Sequence, residues 1–357
     1  MSAPKPHEPL QVTADDLFSP RVDAFLDEQA MLNRALPEIE PQPWILRVLY
    51  SSYFYLSLAS GLGAFVGWMI FEPFISEVDR GGNLIALLLF PTVAGFVGLF
   101  LGAAEGIMCR NAPRAMLSAA VGLGVGFAGG LIVIIPAGII FVIMMKISAE
   151  FWANPQRGQM PTGIALLIFM MGRGAAWALA AIPAGIGQGI ALREPKVVLN
   201  GLLGAVLGGL LGGLVFDPIS IAFPPTDGEA WLSRAIGLTI IGLMVGLFVG
   251  IVEQWTKSAW LLMRAGPLAG KQFVIFRNPT VLGSSPKAEV YLFKDEAIEP
   301  RHALIHDRGG RFEIEDMKTA DGTYVNGIPI QRQILKAGDQ IVLGKTVLEF
   351  ALRESSH

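Results

Sequence analysis

Charge is scarce in this chain and cysteine is almost absent. Of its 357 residues, 16% are Asp, Glu, Lys or Arg against 52% hydrophobic, whereas soluble domains carry about a quarter charged residues. Folded in water, such a chain would leave too much apolar surface exposed, so an integral membrane protein is expected. The single Cys109 excludes an intramolecular disulfide and forms no metal cluster with the scattered His7, His302, His306 and His357. The glycines lie at helical spacing inside apolar runs with no Gly-Lys-Ser/Thr after them, and there is no His-Glu-x-x-His pair, serine elbow or paired-carboxylate site within a span. No catalytic residue, metal or cofactor is therefore expected, and the chain reads as a non-enzyme. A net charge of −3 without a basic stripe gives no support to nucleic-acid binding.

What the chain does contain is six apolar runs, at about 48–75, 84–108, 115–145, 163–191, 197–223 and 232–254. Each is long enough for the roughly 20 residues that a helix needs to cross the hydrocarbon core. The first 45 residues are acidic and proline-bearing with no apolar h-region, so the first span is expected to be an uncleaved anchor. A short amphipathic helix is expected over Arg21–Arg34 within that tail. Arg34, Arg47, Arg110, Arg114, Arg193, Lys196, Lys257, Arg264 and Lys271 fall on one side of the spans; Arg80, Lys146, Arg157 and Arg234 fall on the other. Cytoplasmic loops retain lysine and arginine, so both termini are expected in the cytoplasm, with a bacterial inner membrane as the setting. Trp44, Trp68, Trp152, Trp231, Trp255 and Trp260 sit near span ends, as an interfacial belt requires.

The spans carry a repeated pattern. Ala59, Gly63, Gly67 and Pro73 in the first share one spacing with Gly122, Gly126, Gly130 and Pro136 in the third and with Gly204, Gly208, Gly212 and Pro218 in the fifth. Ala94, Gly98, Gly102 and Glu105 in the second share another with Trp177, Ala181, Gly185 and Gln188 in the fourth and with Gly242, Gly246, Gly250 and Glu253 in the sixth. Three similar hairpins are expected, with small-residue stripes that let helix backbones approach closely. Glu105, Gln188 and Glu253 occupy equivalent places, either as a polar ring or as residues at the water interface. Glu72 and Asp217, each before a proline, read as boundary acids. Arg173 lies inside the fourth span, where a charge faces a partner or water, and Asp217 and Glu72 are its expected partners.

Beyond the spans the chain changes character. From Gln272 to Leu352 it reads as short β-branched strands cut by turns: FVIF, EVYLF, ALI, FEIED, GTYVNG, QIVL and VLEF. Gly283 after a hydrophobic strand, Arg301-His302-Ala303 after a turn, Asp321 to Gly327 and Ala337-Gly338-Asp339 make this segment similar to a forkhead-associated (FHA) domain. That resemblance implies a β-sandwich that generally binds phosphothreonine peptides. The fold expected is thus a polytopic α-helical membrane bundle of six spans in three similar hairpins, followed by an all-β FHA-like sandwich. The organisation expected is 1–45 cytoplasmic tail, 46–256 transmembrane domain, 257–270 juxtamembrane linker, 271–353 sandwich and 354–357 tail.

The chain departs from the family at the phosphate site. The family places an arginine directly after the first glycine, a serine three residues before the histidine and an asparagine before the second glycine; Ser284, Glu299 and Asp321 stand there. Trading one positive charge for two negative ones reverses the field offered to a phosphate. At an effective dielectric near twenty, a like-charge pair about 4 Å apart costs on the order of 4 kcal/mol. The resemblance assigns His302 and Gly322 mainly to loop geometry. Arg301, Lys287 and Lys294 either supply a displaced cationic site or are solvated loop charges.

The leading functional expectation is a membrane-anchored scaffold or signalling protein that presents a divergent cytoplasmic domain for protein recognition, outside ordinary phosphothreonine binding. Its candidate partner-binding residues are Ser284, Ser285, Glu299, Arg301, His302, Asp321, Gly322, Thr323 and Asn326, and its partners a protein surface and the lipid bilayer. The alternative is a small channel or transporter regulated by this domain, resting on Arg173, Glu105, Gln188 and Glu253. Thr13-Ala14-Asp15-Asp16 places an acid three residues after a threonine, a preference among FHA ligands, which allows kinase-linked signalling or self-association through the tail.

Overall fold

The computed structural model describes residues 43–74, 87–152, 160–223 and 231–353. The helix expected at Arg21–Arg34, the Thr13 segment, Arg80, Arg157 and the 354–357 tail lie outside them. Among the described residues seven helices come first: α1 Trp44–Leu49, α2 Ser52–Phe71 (continued by a 3-10 turn, Glu72–Phe74), α3 Leu89–Met108, α4 Ala112–Glu150, α5 Ile164–Leu192, α6 Pro195–Ala222 and α7 Trp231–Thr256. The last six are long and apolar enough to cross a membrane, at the places where the six apolar runs lie. α4, at 39 residues, extends about 58 Å. Asn111 begins it by accepting the Arg114 N–H at 3.1 Å, with Pro113 in the first turn where its missing N–H costs nothing.

From α2 to α7 each helix packs on the next, and α7 closes the set by packing on α2, while α3 also meets α5 across the middle. Glycine makes this closure possible. A Cβ on Gly98 would collide with the Gly122 carbonyl, one on Gly185 with the Gly201 carbonyl, and one on Gly246 with the Leu56 carbonyl. The even-span stripes therefore all lie against the following odd helix, α3 on α4, α5 on α6 and α7 on α2. The odd-span stripes do not share one environment. Gly63 and Gly67 face α3, and Gly204, Gly208 and Gly212 face α7, but Gly126 and Gly130 turn back onto Ala94 and Pro91 of α3. On its other side α4 meets α5, where a Cβ on Gly129 would collide with Pro183 and one on Gly187 with Gly122.

Two connections share one geometry. After α3, Arg110 takes a left-handed φ of 51° and Asn111 N–H returns to the Gly106 carbonyl at 2.7 Å; after α5, Arg193 takes φ 56° and Glu194 N–H returns to Gly189 at 3.1 Å. Each is a tight left-handed helix end.

The C-terminal unit is a two-sheet sandwich. Its strands are β1 Ala259–Ala265, β2 Gln272–Val274, β3 Thr280–Gly283, β4 Val290–Tyr291, β5 Ala303–Asp307, β6 Phe312–Asp316, β7 Thr323–Val325, β8 Ile328–Ile330, β9 Arg332–Ile334, β10 Gln340–Leu343 and β11 Thr346–Leu352. One sheet runs β2-β1-β11-β10-β7-β8 and the other β4-β3-β5-β6-β9. Leu261, Met263, Leu282, Ile305, Ile314, Leu348 and Phe350 fill the space between them. The expected linker at 257–270 is corrected: β1 lies inside it and pairs with both β11 and β2, burying Ala259, Leu261 and Met263 in alternation. Trp260 accordingly sits on a strand, with the Lys257 ammonium 4.0 Å from its ring centroid, and not on a span end.

Candidate recognition site

Three segments converge at one end of the sandwich: the β3–β4 loop, the turn before β5 and the loop between β6 and β7. A Cβ on Gly283 would collide with the Pro300 carbonyl, so glycine lets the end of β3 touch the 299–301 turn. Ser284 N–H donates to the Glu299 carbonyl at 2.9 Å. His302 is wholly buried and ties the turn to the next loop. Its Nδ1 accepts the Glu299 N–H at 3.2 Å, and its Nε2 lies 3.1 Å from the Gly322 carbonyl and 3.2 Å from Thr319 Oγ1. A neutral ring with its proton on Nε2 satisfies this set. Gly322, at φ +68°, makes the turn that brings its carbonyl there.

The charged positions are arranged as follows. Glu299 Oε1 accepts the Ala320 N–H at 3.0 Å, so a carboxylate bridges the two loops and occupies a backbone donor at the recognition end. Asp321 is exposed beside it. Asp316, which sequence reasoning missed, anchors the loop from below, accepting from Thr319 Oγ1 at 2.9 Å, Thr323 Oγ1 at 2.7 Å and the Lys318 N–H at 2.8 Å. Arg301, Lys287 and Lys294 are exposed, and none forms an ion pair among the described residues. Burial takes Thr323 and His302 off the expected contact surface, while Asn326 stays exposed. Thr323 is fully buried and committed to Asp316. Asn326 binds Asp339 Oδ1 at 2.8 Å and accepts the Gln340 N–H at 2.9 Å, so it holds the β7–β8 turn.

The β3–β4 loop is also fastened to the helices. Asn111 Nδ2 donates to the Pro286 carbonyl at 2.7 Å, and Arg114 donates to the Glu289 carbonyl at 3.1 Å. Arg277 spans Glu194 and Glu289, at 2.7 Å to each, and hydrogen bonding to these carboxylates raises its pKa. Ser285 borders a cavity of about 650 Å3 between this loop and the ends of α3 to α6. Apart from Arg277 and Glu289, 12 positions apart, none of this was visible in the sequence, because the other partners are 83 or more positions apart.

The charged and amide groups expected within the spans separate into four sets. Arg173 Nε lies 2.9 Å from Asp217, as expected, in a cage of Phe141, Phe169 and Phe216 with ring centroids 4.9 to 5.1 Å away. Glu72 is not its partner: Arg234 holds Glu72 at 2.5 Å, the closer cation once α7 packs on α2. Gln188 Nε2 donates to Glu105 Oε2 at 3.1 Å, so two of the three equivalent polar groups meet. Glu253 sits on α7 facing the sandwich, where it lines a separate cavity with Lys271.

Residues 280–344 match the family model described as FHA domain. Among curated relatives, the oxoglutarate dehydrogenase inhibitor of Corynebacterium efficiens is 38% identical over 93 residues, 26% of this chain and 65% of that protein. The glycogen accumulation regulator GarA of Mycolicibacterium smegmatis is 36% identical over 105 residues, 29% of this chain and 66% of its own length. The chain thus spans just under two thirds of the length of these relatives. Among solved structures, the FHA domain of the CT664 protein from Chlamydia trachomatis is 25% identical, covering 28% of this chain and all of that one, with a TM-score of 0.26.

Proposed function

We propose that this chain, which carries an FHA domain at residues 280–344, is a non-catalytic recognition protein whose six long helices span a membrane and hold the sandwich at the cytoplasmic face as a scaffold or signalling module. Protein–protein recognition is what an FHA domain implies, and the named relatives are an enzyme inhibitor and a metabolic regulator. The partner surface is neutral or basic and is not a phosphothreonine peptide. The observation that carries this is the Glu299 carboxylate held on the Ala320 N–H, with Asp321 exposed next to it and no guanidinium paired to either among the described residues. An incoming phosphate with nearly two negative charges meets like charge at the place where its donors should be.

The three similar hairpins are part of the same proposal. The matching turns at Arg110 and Arg193 and the cyclic set of even-span stripes support a repeated unit that builds a rigid platform. Cross-linking of the full chain in membranes tests the reading. Recovery of the same partner before and after phosphatase treatment, lost with Ser284→Glu at the recognition end, supports it; capture abolished by phosphatase contradicts it.

A further inference from the structure

We infer that the cavity between the start of the bundle and the β1–β2 segment holds a phosphate-bearing anion, either the headgroup of an anionic phospholipid or a soluble phosphate. The cavity measures about 550 Å3, and its lining includes Arg47, Ser51, Ser52, Tyr53, Arg264 and Lys271. Three of these six are cationic. Among the described residues the one carboxylate bordering it is Glu253; Arg264 is paired with Glu349 at 2.5 Å, and Arg47 has an interaction of its own.

Lys271 is the first of two independent observations. It is 3% exposed, yet its ammonium has one hydrogen-bond partner, Tyr55 Oη, at 3.5 Å, together with the Tyr55 ring at 4.5 Å. An ammonium has three donors, and ordinary hydrogen bonds to oxygen lie at about 2.7–3.2 Å. At least two donors are therefore unmet by protein groups among the described residues, in a buried position where an unmet donor is costly, while the Glu253 carboxylate on the same cavity faces the charge itself.

The second observation is the start of α2, a 20-residue helix. Ser51 supplies no side-chain cap, and the first N–H groups to return to its carbonyl are those of Phe54 and Tyr55. The N–H groups of Ser52 and Tyr53 precede that bond, and both residues border the cavity. A phosphate group there would accept from a helix start and a buried ammonium together, the combination that oxyanions favour. On α1, Arg47 borders the cavity while Trp44, Ile45, Val48 and Leu49 are exposed, so a lipid headgroup would have an apolar flank beside it for its chains.

This inference rests on the membrane-spanning reading in its lipid form only, and the test separates the two. The full chain is first subjected to carbonate extraction, then purified in detergent and examined by native mass spectrometry with phosphatidylglycerol, phosphatidylcholine or inorganic phosphate. Retention of phosphatidylglycerol over phosphatidylcholine by about tenfold, a difference of the size of one charge-assisted hydrogen bond, assigns the lipid source. Binding of inorganic phosphate by lipid-free protein assigns the soluble one. In either case Lys271→Gln and Arg47→Gln reduce binding and Lys287→Gln, on the far loop, does not. If Lys271→Gln does not fold, Arg47→Gln decides alone. Equal retention of both lipids without phosphate binding, or binding unchanged in the folded variants, overturns the site. A chain released by carbonate refutes the membrane reading while leaving the phosphate arm to decide the site.

Discussion

Lys271 and Tyr55 stand 216 positions apart and meet where the sandwich rests on the helices, the ammonium 4.5 Å from the centre of the phenol ring. With the Asn111, Arg114 and Arg277 contacts, this places anchors from the sandwich on the start of α2, both tight helix connections and the start of α4. The FHA domain is therefore seated on the bundle and is not a module swinging on a tether. Its β3–β4 loop, which carries the candidate residues Ser284 and Ser285, is part of that seat.

The Arg173–Asp217 pair is expected to be a structural lock inside the bundle. Asp217→Asn leaves a guanidinium among three phenyl rings without its counter-charge, and the loss should be about 3 kcal/mol, the usual cost of breaking a buried pair. Replacing both by Arg173→Met and Asp217→Leu should cost less than the single change. Reversible denaturation of the full chain in mixed micelles measures this; additive losses would show that the two side chains do not act together.

Glycine positions in the spans are expected to divide sharply. Gly98→Ala drives a methyl into the Gly122 carbonyl of α4, whereas a Cβ at Gly124, two residues further along α4 and on another face, meets nothing within 4 Å. Gly98→Ala should lose about 1–3 kcal/mol by overpacking, and Gly124→Ala should be neutral or gain up to about 1 kcal/mol from helix propensity. The same denaturation assay reads both.

Cys109 ends α3 yet is 4% exposed and packs with the sandwich core. Burial, the largest cause, pushes its thiol from 9.0 up to about 11, with Lys271 and Arg114 pulling the other way. A folded pKa above the unfolded one means the neutral thiol's contribution is fully present below about pH 9 and is lost as pH climbs toward 11. Alkylation at pH 8 should therefore be slow in the native chain and rise steeply when Asn111→Ala and Arg277→Ala loosen the seat. Fast labelling of the native protein would contradict this packing.

Much of this molecule is legible in its sequence. The six spans follow from uninterrupted apolar length, and the central strands from alternation bounded by turns. β1 escapes because Ala-Trp-Leu-Leu-Met-Arg-Ala follows directly on an apolar helix, and its period of two shows only once β11 and β2 bury alternate residues. β8 and β9 escape because each is three residues long, one of them centred on Pro329. At the recognition end, Glu299 could be identified as an intruding acid, but its hydrogen bond to Ala320 depends on two loops meeting across 21 positions. Thr323 and Asn326 lie within the motif and look like contact residues; only their pairing with Asp316 and Asp339 shows that they build the loop.

The account turns on the electronegative recognition end, and phosphothreonine affinity measures it most directly. Fluorescence anisotropy of the full chain against a degenerate phosphothreonine peptide pool should give a Kd weaker than about 1 mM, while Ser284→Arg, Glu299→Ser and Asp321→Asn combined should tighten it at least about tenfold by restoring a guanidinium and removing two carboxylates. Micromolar, phosphatase-sensitive binding by the unaltered chain would contradict it.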